Sequence, residues 1–283
     1  MFISRWNGAR VAFATALLLG LASIASASIT LNLTTVGSSG TINGALYQQI
    51  DPQSTGTGTI DSFAQIGGNT DQTQGYNTTE NGTLDNGSPD NFNHSITLGI
   101  VPIVSIGGID YRQFLLDVNE NSGGTVFNDR FISLDEVQLF VGGTANSNVE
   151  TFNGSGVLNH NGTLVYRMDG PGTDNNWVAL DFQLNSGSGS GDMFLNVPVS
   201  LFAGFSNSDV VTLYSEFGQQ GEVSAPNAAG VPQGNYGNSD GFEEWAVREA
   251  TGVIPEPTAF LVWALLIGCA CFRTTRQRPT GGC

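Results

Sequence analysis

The sequence predicts an all-β fold, an antiparallel β-sandwich with a jelly roll among the strand orders it admits, flanked by an N-terminal signal segment and a C-terminal hydrophobic helix. Three observations predict it. Short runs rich in β-branched and aromatic residues recur along the body. Turn formers such as Gly142-Gly143, Asp169-Gly170-Pro171-Gly172, Asn185-Ser186-Gly187 and Gly218-Gln219-Gln220-Gly221 separate them at sandwich-like spacing. No long period of 3.6 residues appears between the two ends.

The elements follow in chain order. Arg5 and Arg10 precede the apolar run Val11 to Leu21 and the small residues Ala25-Ser26-Ala27, the layout of a secretory signal peptide cleaved after Ala27. That run is too short to cross a hydrocarbon core of about 30 Å. From Ser28 to about Asn93 the chain is rich in Gly, Asn, Ser, Thr and Asp, with apolar patches Ile29–Leu33, Ala45–Ile50 and Ile60–Ile66 that predict short strands. Stronger strand signals cover Ile96–Ile106, Tyr111–Val118, Phe131–Val141, Gly162–Met168, Trp177–Leu184, Met193–Phe205 and Val210–Phe217. Residues 28–252 are expected to form one exported domain, with Asp117 to Glu136 a strand-loop-strand unit.

The C-terminal part, 253–283, reads Pro255-Glu256-Pro257, then an uncharged apolar run over 259–272, then Arg273, Arg276 and Arg278. The prolines stop regular structure, and the arginines favour a cytoplasmic end for the apolar segment. At a helical rise of about 1.5 Å the run reaches about 21 Å, a marginal span suited to a transient membrane signal.

Composition bounds the partners. The chain carries 25 acidic against 9 basic residues, net charge −16, and no lysine. Arg5, Arg10, Arg273, Arg276 and Arg278 lie in the terminal segments, leaving the body Arg112, Arg130, Arg167 and Arg248. So acidic a surface repels phosphate backbones and excludes nucleic acid as a partner, while it keeps the chain soluble and attracts divalent cations. Cys269, Cys271 and Cys283 all lie in or after the apolar run, so the body can form no disulfide and must rely on packing.

The sharpest local signal is Asp117-Val118-Asn119-Glu120-Asn121, which places oxygen donors at alternate positions as in a calcium loop. Asp135 and Glu136 resemble its closing half, so Asp117, Asn119, Asn121, Asp135 and Glu136 are the candidate ligands and calcium the candidate cofactor. Ser122 stands where glycine is usual, and ten intervening residues replace two. The competing reading is a β-hairpin with a polar loop, Ser133, Asp135 and Val137 on one face and Leu134 and Glu136 on the other.

No catalytic residue is assigned. The carboxylate pairs Asp135/Glu136 and Glu243/Glu244 are adjacent in sequence, so in a regular strand each pair splits between two faces, unlike the two carboxyls that flank a sugar in a glycosidase. Both pairs are expected to be solvated strand-edge charge. His94 and His160 are the only histidines, and no phosphate-binding or nucleophile-elbow motif is present. Trp177, Trp245, Tyr214 and Tyr236 are candidates for an aromatic sugar platform or for core, with Trp177 and Ala179 on the face opposite Val178, Leu180, Phe182 and Leu184.

Pro255-Glu256-Pro257, the apolar run and the arginine cluster together resemble a PEP-CTERM sorting signal, a segment also described as an ice-binding-protein C-terminal domain. The resemblance implies export by the Sec machinery and processing by exosortase, a membrane-embedded cysteine protease-transpeptidase of Gram-negative bacteria that make exopolysaccharide. It places the product in the cell envelope, at the surface, or outside after C-terminal processing. The stretches 114–120, 133–137, 185–194, 214–218 and 241–247 resemble a recurring ectodomain of PEP-CTERM proteins, which implies a β-sandwich and no chemistry. Three functional readings stay open: a structural or adhesive matrix component, a carbohydrate-binding module, and a hydrolase of extracellular polysaccharide.

Overall fold

A computed structural model describes residues 28–50, 60, 62–68, 70–87, 92–121, 129–170, 175–186, 189 and 191–247. The signal segment with Ala25 and Ala27, and the sorting segment with Pro255, Glu256, Pro257, Arg273, Arg276 and Arg278, lie outside them. Among the described residues no helix is long and apolar enough to cross a membrane.

The chain is all-β. Its strands are β1 (Thr30–Asn32), β2 (Ser39–Ile42), β3 (Ala45–Gln49), β4 (Ser62–Ile66), β5 (Thr73–Tyr76) and β6 (Ile96–Thr97). There follow β7 (Ile103–Ile106), β8 (Ile109–Asp117), β9 (Phe131–Val141), β10 (Thr163–Arg167) and β11 (Trp177–Asp181). The last are β12 (Met193–Pro198), β13 (Val210–Phe217), β14 (Glu222–Val223), β15 (Gly234–Asn235) and β16 (Glu243–Ala246).

Two sheets form. Sheet A runs β1-β11-β9-β13-β5, with β10 also on β9 and β6 on β13; sheet B runs β2-β3-β12-β8-β16-β4, with β7 on β8. β14 and β15 make a separate two-stranded ribbon. All pairings are antiparallel except β1 on β11, which is parallel. The sheets face each other across one continuous apolar core, because alternate residues on each strand point inward. Leu134, Val137, Leu139, Val178, Leu180 and Leu213 meet Tyr47, Phe63, Phe114, Leu116, Leu195 and Trp245 there. Polar groups stitch the layers: Trp245 Nε1 on sheet B donates to Ser215 Oγ on sheet A at 2.9 Å, and Tyr47 OH and Tyr166 OH lie 2.8 Å apart.

Several expectations are corrected. The predicted strand Ile96–Ile106 is two strands, split by a 3-10 turn at Leu98–Ile100. Buried Arg112 secures that turn, donating from Nη1 to Leu98 O at 2.8 Å and Val101 O at 2.6 Å. The strand predicted to continue to Phe205 ends at Pro198, which lacks the next ladder donor, and a 3-10 turn follows. Asp117 and Phe131 do bound two strands, but β8 lies in sheet B and β9 in sheet A, so the two do not pair as a hairpin.

The outer face of sheet A carries two small apolar clusters. Near the start of β9, Phe131, Trp177 and Ala179 pack under Val231 and Tyr236 of the β14–β15 lobe. Near its end, Tyr76, Phe140, Leu158 and Tyr214 pack with half-buried Phe152. Polar residues occupy the interval between them.

Candidate functional site

That interval is a cleft of about 410 Å3 built around an irregularity in β9. Along the β9–β13 ladder Glu216 faces Glu136, but the next pair is Phe217 with Leu134, leaving Asp135 without a partner. The extra residue is a β-bulge, which re-aims side chains locally. Its consequence is that Leu134 and Val137 both enter the core, while Asp135 and Glu136 both line the cleft. The expected face assignment, Val137 with Asp135 and Glu136 with Leu134, is therefore corrected: a bulge resets the two-residue alternation.

Asp135 and Glu136 form the floor, 7% and 5% exposed. Asp135 Oδ2 accepts from Ser133 Oγ at 2.7 Å and from Gln219 N at 2.8 Å, and Oδ1 accepts from Gln220 Nε2 at 2.9 Å. Glu136 Oε2 accepts from Arg167 Nε at 2.7 Å, and Oε1 from Asp169 N at 3.2 Å. Burial pushes the Asp135 carboxyl up to about 6, against the hydrogen bonds that favour its charged form. Burial likewise raises Glu136 to about 7, opposed by the bond to Arg167. Glu216, directly opposite on β13, is also raised by burial.

One wall is Gln74, Tyr214 and Phe152: Tyr214 OH donates to Gln74 Oε1 at 2.7 Å, and the Phe152 ring meets Tyr214 edge-on at 5.3 Å. Arg167, Asp169, Asn175 and Asn176 line another side, Glu216, Gln219 and Gln220 a third. The arrangement offers carboxylate acceptors, guanidinium and amide donors, and one half-buried aromatic ring, within the size of small-ligand pockets. Such donors and acceptors have the chemistry to hydrogen-bond the hydroxyl groups of a ligand.

No family model, curated protein or solved structure matches this chain.

The five predicted calcium ligands divide between the two sheets. Asp117, fully buried at the end of β8, accepts from Gly189 N at 2.8 Å and Gly191 N at 2.9 Å. Asn119 Nδ2 donates to Phe242 O and Asn121 Nδ2 to Ser239 O, both turned toward the segment before β16. Asp135 and Glu136 lie on the outer face of sheet A. Among the described residues no three His, Cys, Asp or Glu side chains cluster as a metal shell.

Glu243 and Glu244 are not solvated edge charge. β16 lies between β8 and β4, and the two are 0% and 8% exposed, with Gln65 Nε2 donating to Glu244 at 2.7 Å. Trp177, Trp245, Tyr214 and Tyr236 are all buried, so none is a surface platform. Trp177 and Ala179 do share the face opposite Val178 and Leu180, but the β14–β15 lobe covers it. Arg167, Glu216, Gln219 and Gln220 were not singled out from sequence, because each stands in an ordinary strand or turn context and only strand pairing brings them to Asp135.

Proposed function

We propose that this chain is an exported surface protein whose sandwich adheres to matrix exopolysaccharide through the cleft of sheet A. The observation that carries the reading is the bulge that sets Asp135 and Glu136 side by side beneath Arg167, Gln219 and Gln220. Binding is favoured over turnover because the Asp135 oxygens accept three donors and Glu136 is held by Arg167, which suits fixed acceptors for sugar hydroxyls better than a mobile general acid. The raised carboxyls of Glu136 and Glu216, opposite each other, favour a second reading as a polysaccharide hydrolase.

The signal segment directs export through the Sec machinery, and the PEP-CTERM-like segment directs exosortase processing, with 259–272 a membrane-directed helix. The connectivity favours a jelly-roll-like description, since β11, β12, β13 and β16 alternate between sheets A and B. Calcium at Asp117, Asn119, Asn121, Asp135 and Glu136 as one shell has little support from their division between sheets.

The test is sedimentation of the full-length chain with exopolysaccharide from its own host, beside assay of released reducing ends. The reading expects saturable binding that falls at least tenfold in Glu216→Ala and Gln220→Ala, with no release. Absence of binding overturns it; release that Glu216→Gln abolishes establishes the hydrolase instead.

A further inference from the structure

A second polar site lies at the far end of β8, on chemistry separate from the cleft. There the segment 238–243 folds across residues 119–121 as they leave sheet B. Glu120 Oε2 accepts from Ser239 N at 2.9 Å and also from the Ser239 hydroxyl. Glu243 Oε2 accepts from Asn119 N at 3.1 Å. The second oxygen of each glutamate, Oε1 in both, has no hydrogen-bond donor among the described residues, and neither has Asn238 Oδ1. Glu120, Glu243 and Asn238 are 5%, 0% and 5% exposed.

Ser239, which holds Glu120, adjoins Asn238, and Asn119, which holds Glu243, adjoins Glu120. The bonds therefore bring the two glutamates to one junction, and Asn238, whose Nδ2 donates to Gly68 O at 3.4 Å, flanks it beside Ser239. The charged groups acting on the two glutamates are carboxylates: Asp240 and Asp129 on Glu120, and Glu120, Asp117 and Asp192 on Glu243. Buried carboxylates with one oxygen left without a donor, beside other carboxylates, are strongly disfavoured unless a cation compensates them. These three free atoms are all oxygens, and among the described residues neither imidazole nor thiolate stands beside them, which selects a hard cation.

We propose that Glu120, Glu243 and Asn238 form a calcium site, with their unpaired oxygens as ligands and backbone carbonyls and water completing the six to eight that calcium takes. A cavity of about 1000 Å3 lined by Asn121, Asn238, Ser239 and Asp240, and another of about 360 Å3 lined by Asn119, Glu120 and Asp240, open beside the junction. Calcium there would pin the 238–243 segment, and with it the start of β16, to the end of β8.

The experiment is calorimetric titration of calcium chloride into the EGTA-stripped full-length chain, with thermal melting in EGTA and in calcium. One binding event is expected, at least tenfold weaker in Glu243→Gln and Asn238→Ala and unchanged in Glu222→Gln, together with a lower melting temperature in EGTA. Glu222 is the control because it is exposed. Should Glu243→Gln fail to fold, terbium luminescence sensitised by Trp245 in the unaltered chain, competed by calcium, reads the site directly. No heat and equal melting with and without calcium would overturn the proposal, as would unchanged affinity in Asn238→Ala.

Discussion

Arg167 and Glu136 show how much one contact decides at the residue scale. Their side chains are 15% and 6% exposed and their atoms 2.7 Å apart, so removing the cation leaves a carboxylate buried with like-charged neighbours. Arg167→Met is expected to lower stability by about 3 kcal/mol, the usual result of breaking a buried pair, and Arg167→Met with Glu136→Gln to recover part of it. Denaturant midpoints check both. Ser215 makes a parallel case: its hydroxyl accepts the Trp245 indole N–H inside the core. Ser215→Ala should cost about 1 to 3 kcal/mol because the donor is left unpaired. Gly218 is held by its backbone, at φ +84° with the position of a Cβ 2.1 Å from Asp71 O. None of these partners is visible in sequence, since Arg167 and Glu136 are 31 residues apart and Trp245 and Ser215 are 30 apart.

At the scale of elements, β9 teaches most. Its bounds, Phe131–Val141, coincide with the run predicted from sequence, because nearly every residue there suits a buried strand. Its facing does not coincide, since the bulge at Asp135 breaks the period of two that a regular strand follows. Deleting Asp135 would restore simple alternation with Leu134 and Val137 still inward, so the shortened chain should fold. It should also lose the paired carboxyl floor, and with it exopolysaccharide binding. Circular dichroism and the sedimentation assay together test this. Strand β16 is the opposite case: Glu243-Glu244 reads as exposed edge in sequence, yet pairing with β8 and β4 makes it an interior strand.

For the whole molecule the governing feature is acid burial. Asp135, Glu136, Asp181 and Glu216 all have carboxyls raised by burial. An acid that holds its proton more tightly when folded stabilises the fold below its unfolded value and loses that contribution as pH rises through the folded one. For Asp135 the window runs from 3.8 to about 6, and for Glu136 from 4.5 to about 7. Stability should therefore fall between pH 4 and pH 7, by on the order of 2 kcal/mol from Asp135 alone at about 1.4 kcal/mol per unit. Unfolding midpoints at pH 5 and pH 8 measure it; a higher midpoint at pH 8 would contradict the assignment. At this scale the terminal signals predict a different observable. Replacing Pro255-Glu256-Pro257 with alanines should leave export intact and block C-terminal processing, read as intact mass from the native host.

The sequence by itself determined that the body is all-β, where most of its long strands run, and where glycine and asparagine turn the chain. Those properties are local: alternation, β-branched side chains and turn chemistry act over a few residues, and each can be read where it stands. The partition of strands between two sheets, the bulge, the burial of Glu243 and the covering of Trp177 were decided only by tertiary structure. Each depends on a partner far away along the chain, and strand pairing between distant segments leaves no mark within either one. The cleft belongs to this second class, because its floor comes from β9 and its rim from β10, β13 and the loops beyond them.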